Sequence, residues 1–200
     1  MHRIFILISL FGLICQTQLN AKEKPVVYTI GDSTVKNGSG DGSGGLWGWG
    51  DPFALFFDTT KVKVENHALG GTSSRTFQTK GLWEEVRSKL KKGDYVLMQF
   101  GHNDGARADA EKFRGYLRGT GEETQEVIKP EVKKETVHTY GWYMKKYIQD
   151  TKGKGATPIV LSQIPRNELP NGKVERVAAS DGKWAKEAAE QTSAFFIDLN

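Results

Sequence analysis

The sequence predicts an α/β protein built on a five-stranded parallel sheet, flavodoxin-like in order, with helices over both faces. Two observations predict this. Short apolar runs rich in β-branched residues alternate with segments of helical spacing, strand and helix taking turns five times along the chain. Such alternation implies right-handed crossovers, which leave the strands parallel in one sheet and the helices on its faces. The length, 200 residues without repeats or low-complexity tails, suits a single domain large enough to bury a sizeable core.

The elements follow in order. Residues 26–30 predict the first strand, which breaks at once into Gly31-Asp32-Ser33-Thr34 and a glycine-rich stretch. Asp51 and Pro52 read as an N-cap and a first-turn proline, with Phe53, Leu55, Phe56 and Phe57 as a short apolar helix behind them. Val62 and Val64 alternate with charged residues, as in a strand. Leu82, Val86 and Leu90 recur at helical spacing up to a stop at Gly93, and residues 95–100 read as a buried strand. Val137, Tyr140, Met144 and Tyr147 mark a helix face, and residues 157–161 another strand. Trp184 and Ala188 mark a further helix, and residues 194–197 the last strand. The stretch from 105 to 135 is long, charged and glycine-containing, and reads as an insertion rimming the strand ends.

Residues 4–14 form an apolar run behind His2 and Arg3, too short to span a bilayer, and Ala21 gives a small-residue exit before Lys22. This predicts a signal peptide over residues 1–21 and a domain over residues 22–200, hence a secreted or periplasmic protein without a stable membrane anchor. Cys15, the only cysteine, falls in the leader behind Ile14, where a lipoprotein site wants a small residue, so disulfides cannot support the exported chain. Removing Arg3 from 28 basic residues leaves 27 against 24 acidic ones. A balance so even, with Lys89, Lys91 and Lys92 at a helix end where cations suit the macrodipole, points away from nucleic acid.

In parallel sheets chemistry sits outside the carboxyl ends of the strands, and three loops there are unusual in composition. The first holds Ser33. The second reads Asn66-His67-Ala68-Leu69-Gly70-Gly71-Thr72-Ser73-Ser74-Arg75, and the third Gly101-His102-Asn103-Asp104. Acyl transfer from an ester needs a nucleophile, a base, and donors aimed at the oxyanion of the tetrahedral intermediate. Ser33 can attack, while its own amide, the amide of Gly71 and the side-chain amide of Asn103 can hold the oxyanion. Trp47 and Trp49 are candidates for stacking on sugar rings, and Arg75 for a bidentate pair with a uronate carboxylate. Gly40, Gly42 and Gly45 spell a dinucleotide fingerprint but neither follow a strand nor open a helix, so no nucleotide or other cofactor is expected. Dispersed histidines give no metal site. Asp32 and Asp104, beside turn residues, read as acceptors of backbone hydrogen bonds.

These loops carry a resemblance. Gly31-Asp32-Ser33-Thr34, Gly48-Trp49-Gly50, the block from Asn66 to Arg75 and Phe100-Gly101-His102-Asn103-Asp104 resemble the SGNH or GDSL-type hydrolases, most of all the rhamnogalacturonan acetylesterases, with a looser echo in Leu161-Ser162-Gln163-Ile164-Pro165. The resemblance implies Ser33 as nucleophile, Gly71 and Asn103 as oxyanion partners, a three-layer α/β/α fold, and removal of acetyl groups from a pectic polysaccharide.

The same family takes its base and orienting carboxylate from an Asp-x-x-His beyond the final strand, and these 200 residues contain none. Glu135-Thr136-Val137-His138 is the nearest pattern and is expected on the surface of a helix. The expectation is therefore an incomplete copy of a longer esterase, lacking its last loop and helix and nearly inactive by itself. The alternatives are a carbohydrate-binding remnant of the same fold and a lipid esterase or thioesterase of the same superfamily.

Overall fold

Residues 26–30 and the following glycine form an interior strand, β1 (Val26–Gly31), buried along its whole length because neighbours flank it on both edges and both faces. The structure, a computed structural model, describes residues 23–36, 47–105, 107–130, 133–165, 169–174 and 180–200. The leader over residues 1–21 with Cys15, and the Gly40 to Gly45 pattern, lie outside the described residues.

Four more strands join β1 in one parallel sheet: β2 (Lys63–Asn66), β3 (Tyr95–Gln99), β6 (Thr157–Leu161) and β7 (Phe195–Ile197), in the order β2-β1-β3-β6-β7. The expected five-stranded α/β architecture is present. The order also explains how the faces are covered. The connection from β1 runs outward to β2, while every later connection runs the opposite way, and right-handed crossovers in opposite directions fall on opposite faces. Helix α1 (Gly50–Phe53), in the β1–β2 connection, meets the face of Val27, Leu97 and Leu161. Helices α2 (Ser74–Thr79), α3 (Leu82–Lys89), α4 (Tyr140–Gly153) and α5 (Ser180–Gln191) belong to the other connections and share the larger core. There Phe77, Trp83, Val86, Tyr147 and Ala188 pack on Tyr28, Ile30, Val96, Met98 and Val160. Alternate residues of one strand thus serve two unequal cores. The reversal of direction between β1 and β3 opens a crevice at their carboxyl ends.

Four expectations change. Asp51 lies inside the first turn of α1, whose N-cap is Trp49; its carboxylate accepts from Asn66 Nδ2 at 2.5 Å instead. Behind α1 the chain tightens into a 3-10 turn over Ala54–Phe56, leaving Leu55 and Phe56 exposed rather than on an apolar helix face. Part of the second loop is helical. Ser73 caps α2 through a reciprocal pair with Thr76, in which Ser73 Oγ accepts the Thr76 N–H and Thr76 Oγ1 accepts the Ser73 N–H. Finally, part of the insertion is an antiparallel hairpin of β4 (Thr124–Lys129) and β5 (Lys133–His138), with Val127 and Val137 buried against Ala108. Val137 is on this strand, and α4 starts at Tyr140, capped by the Thr139 hydroxyl, which accepts from Trp142 N at 3.1 Å.

Candidate active site

The loops that leave β1, β2 and β3 interlock at the crevice. In the first, buried Asp32 shapes the turn: its Oδ1 accepts from the backbone N–H and the hydroxyl of Thr34, each at 2.8 Å. Gln99, the last residue of β3, holds the turn from the side, its Nε2 donating to Thr34 Oγ1 at 2.5 Å while its Oε1 accepts from Trp49 Nε1 at 2.9 Å. Ser33 stands half-buried on this turn. Gly31 is required by space, since a Cβ there would lie 2.5 Å from Gln99 O and from Val35 Cγ2.

The second loop is tied under the first. Leu69 N–H donates to Gly31 O at 3.0 Å, and Thr72 Oγ1 lies 2.7 Å from Leu69 O and 3.2 Å from Gly31 O. This sets Gly70 against the serine, for a Cβ on Gly70 would come within 3.7 Å of Ser33 Cβ. The next residue, Gly71, has φ +79°, a conformation that side chains with a Cβ adopt only under strain.

The third loop closes the group. Asn103 Nδ2 donates to Thr72 O at 2.9 Å, and its Oδ1 accepts from Arg114 Nη1 at 3.1 Å; the same Nη1 donates to Gly71 O at 3.0 Å. Beneath them, fully buried Asp104 accepts from Ser74 N at 2.8 Å and Ser74 Oγ at 2.5 Å. Burial pushes the Asp104 carboxyl well above the usual carboxylate range; the Ser74 hydrogen bonds pull it down, and Asp32 and Asp181 push it further up. This buried carboxyl serves as a structural acceptor joining the third loop to α2.

A hydroxyl, a positive-φ glycine and a carboxamide thus sit on three loops that hydrogen bonds and close packing tie together where β1, β2 and β3 end, and acyl transfer needs groups of these kinds. Other expected positions lie elsewhere. Arg75 is fully buried in the first turn of α2; its Nε pairs with Glu135 Oε1 at 2.6 Å, and its Nη1 donates to Ala108 O and Gly115 O at 2.8 Å each. It pins the insertion to α2 and is not open to a uronate. Trp49 is fastened by Gln99 and meets the Phe53 ring edge-on at 5.3 Å, whereas Trp47 is 67% exposed. Glu135 and His138 are on β5, not on a helix. Three residues apart on a strand, they point to opposite faces, and the His138 ring stacks on Trp142 with centroids 3.7 Å apart. His67 Nε2 bonds Glu65 Oε2 at 2.8 Å, and His102 Nε2 lies 3.0 Å from Ile164 O.

Two site-supporting residues escaped the sequence reading. Gln99 left a signal, a polar residue ending an apolar strand. Arg114 left none, being one cation in a charged insertion. Among the described residues, no group of His, Cys, Asp or Glu side chains could hold a metal ion, and no helix is long and apolar enough to cross a membrane. A cavity of about 620 Å³ opens at the amino ends of β1 and β2, lined by Glu23, Val26, Val62 and Lys63, and includes none of the three loops.

The family model described as GDSL-like Lipase/Acylhydrolase matches residues 27–200. The chain is similar to a rhamnogalacturonan acetylesterase of Emericella nidulans, 31% identical over 172 residues, covering 86% of this chain and 66% of that protein. It is also similar to the probable rhamnogalacturonan acetylesterase YesY of Bacillus subtilis, 27% identical over 183 residues, covering 86% of this chain and 74% of the relative. The chain thus spans just under two thirds of the Emericella protein's length. Among solved structures it is similar to protein YXIM of Bacillus subtilis, with a TM-score of 0.67 and 25% identity over 89% of this chain and 44% of the other. The fold alone is shared with Axe2, an acetylxylan esterase from Geobacillus stearothermophilus, with a TM-score of 0.54 and 19% identity over 87% of this chain and 75% of that one.

Proposed function

We propose a function from one premise: this chain belongs to the GDSL-like lipase/acylhydrolase family. The reading is a carbohydrate esterase that removes O-acetyl groups from a pectic, rhamnogalacturonan-like polysaccharide through a serine acyl-enzyme. The observation that carries it is the interlocking of the three loops, with Gly70 facing Ser33 and Arg114 bridging Gly71 and Asn103.

In the proposed reaction Ser33 Oγ attacks the acetyl carbonyl and gives up its proton to a general base. The carbonyl oxygen becomes an oxyanion, received by the N–H groups of Ser33 and Gly71 and by Asn103 Nδ2. Collapse breaks the bond to the sugar oxygen, which takes the proton and leaves as an alcohol. Water then attacks the acetyl-serine, releasing acetate and regenerating Ser33. Preformed donors in a half-buried crevice need no reorganisation as the charge develops.

The substrate class rests on the relatives. Two of those named rhamnogalacturonan acetylesterase or probable rhamnogalacturonan acetylesterase are 31% and 27% identical to this chain over the aligned residues, while the acetylxylan esterase supports the fold only. Exposed Trp47 fits a sugar platform. The apolar run at residues 4–14 supports export, as a substrate too large to enter cells requires.

Acetate release by the full encoded protein tests this. Acetylated rhamnogalacturonan is expected to give a kcat/KM at least about tenfold above that on acetylated xylan, and 4-nitrophenyl acetate to be preferred over the octanoate by a similar factor. A preference for the octanoyl ester would point to the lipid-esterase alternative. Binding to pectin with no acetate released would leave a carbohydrate-binding remnant.

A further inference from the structure

We propose that Arg114 is the positioning residue of the oxyanion side of the site, fixing which end of the Asn103 carboxamide faces the substrate. The inference rests on the reading above, in which Asn103 Nδ2 and the Gly71 N–H receive the oxyanion. A carboxamide is nearly symmetric in shape, and half a turn exchanges its oxygen with its nitrogen. Only one orientation offers a donor; the other aims a carbonyl oxygen at a developing negative charge.

The surroundings select between the two. Arg114 Nη1, which can only donate, is 3.1 Å from Asn103 Oδ1, and Thr72 O, which can only accept, is 2.9 Å from Asn103 Nδ2. A turned carboxamide would set donor against donor and acceptor against acceptor. With Nδ2 carrying two hydrogens and Thr72 O taking one, the second is left for the substrate oxygen. Arg114 Nη1 also donates to Gly71 O at 3.0 Å, holding the carbonyl side of the flexible residue whose N–H is the second oxyanion donor. One guanidinium nitrogen thus sets both groups in register.

Its mount is rigid. Neighbouring Gly115 O accepts from buried Arg75, the Tyr116 hydroxyl donates to Asp181 of α5, and Leu117 N donates to His138 O at 2.9 Å. The insertion therefore supplies a working part of the site as well as its rim.

Arg114→Met keeps the aliphatic stem and removes the donors. In the full encoded protein its kcat on an acetyl ester is expected to fall about 10- to 100-fold with KM within about threefold, and Arg114→Lys to recover part of the loss. In combination with Asn103→Ala, the Met substitution is expected to slow the reaction by less than about threefold further, because both act through one group. A readout independent of turnover is the Asn103 side-chain amide pair in a ¹⁵N spectrum, assigned by its loss in Asn103→Ala. It is expected to be dispersed in the wild type and to broaden or collapse in Arg114→Met. An unchanged amide pair, a rise in KM alone, or losses that multiply in the double variant would overturn the proposal. If instead Asn103→Ala itself leaves kcat intact, the esterase reading of this site fails, and the amide spectrum still decides whether Arg114 orients the carboxamide.

Discussion

In the full encoded protein, replacing Ser33 by alanine is expected to lower kcat for acetyl-ester hydrolysis by about 10⁴ to 10⁶, with little change in affinity for the polysaccharide. The size of the effect follows from the lack of a substitute. Thr34, the adjacent hydroxyl, donates to Asp32 and accepts from Gln99. Thr72 is shared between Leu69 O and Gly31 O, Ser73 and Thr76 are paired in the cap of α2, and the Ser74 hydroxyl donates to Asp104. Each is held away from an attack trajectory by a bond the fold needs. Initial rates on the same substrate check this, and a Ser33→Ala protein retaining more than about 1% of kcat would place the nucleophile elsewhere.

Arg75→Ala is expected to reduce the unfolding free energy by about 3–5 kcal/mol, the cost of removing a buried guanidinium and leaving the acceptor atoms it served without that donor. Three acceptors lose their donor together: Glu135 Oε1, Ala108 O and Gly115 O. Lysine at this position recovers little, since an ammonium cannot reproduce the planar fork that reaches all three. The deficit depends on pH with a defined sign. Burial raises the Glu135 carboxyl, but hydrogen bonds from Arg75 and Lys129 outweigh it, and the net shift is downward from 4.5. A depressed carboxyl contributes stability that is present above its unfolded value and lost as pH falls through the folded one, so the gap between wild type and variant narrows in acid. Urea unfolding at neutral and acidic pH measures both. If Arg75 met a substrate carboxylate instead, KM would rise and stability would stay unchanged.

The contrast between Arg75 and Arg114 shows where sequence reasoning stops. Strands β1, β3 and β6 are legible because packing on both faces of a parallel sheet demands continuous apolar runs, and the three loops are legible because glycine and polar residues stand where those runs end. Ser33, Gly71 and Asn103 lie in those loops. Which arginine is buried beneath the site and which bridges its donors depends on contacts 11 to 60 residues apart along the chain, and local pattern carries nothing of that. The hairpin was hidden for a similar reason. Among their described side chains, Val127 and Val137 are the buried ones, too few for a period-two signal. Helix α2 was hidden because its capping box closes with Thr76, whereas the recognisable pattern ends in Glu or Gln.

The central claim is that a hydroxyl, a main-chain N–H and a carboxamide from three loops surround one carbonyl. A crystal structure of the protein after reaction with an organophosphate tests it most directly, because the phosphoryl oxygen of the adduct stands in for the oxyanion. The account predicts a phosphorus–oxygen bond to Ser33 Oγ with the phosphoryl oxygen about 3 Å from both Gly71 N and Asn103 Nδ2. An adduct on another residue, or a phosphoryl oxygen turned away from both donors, would contradict it.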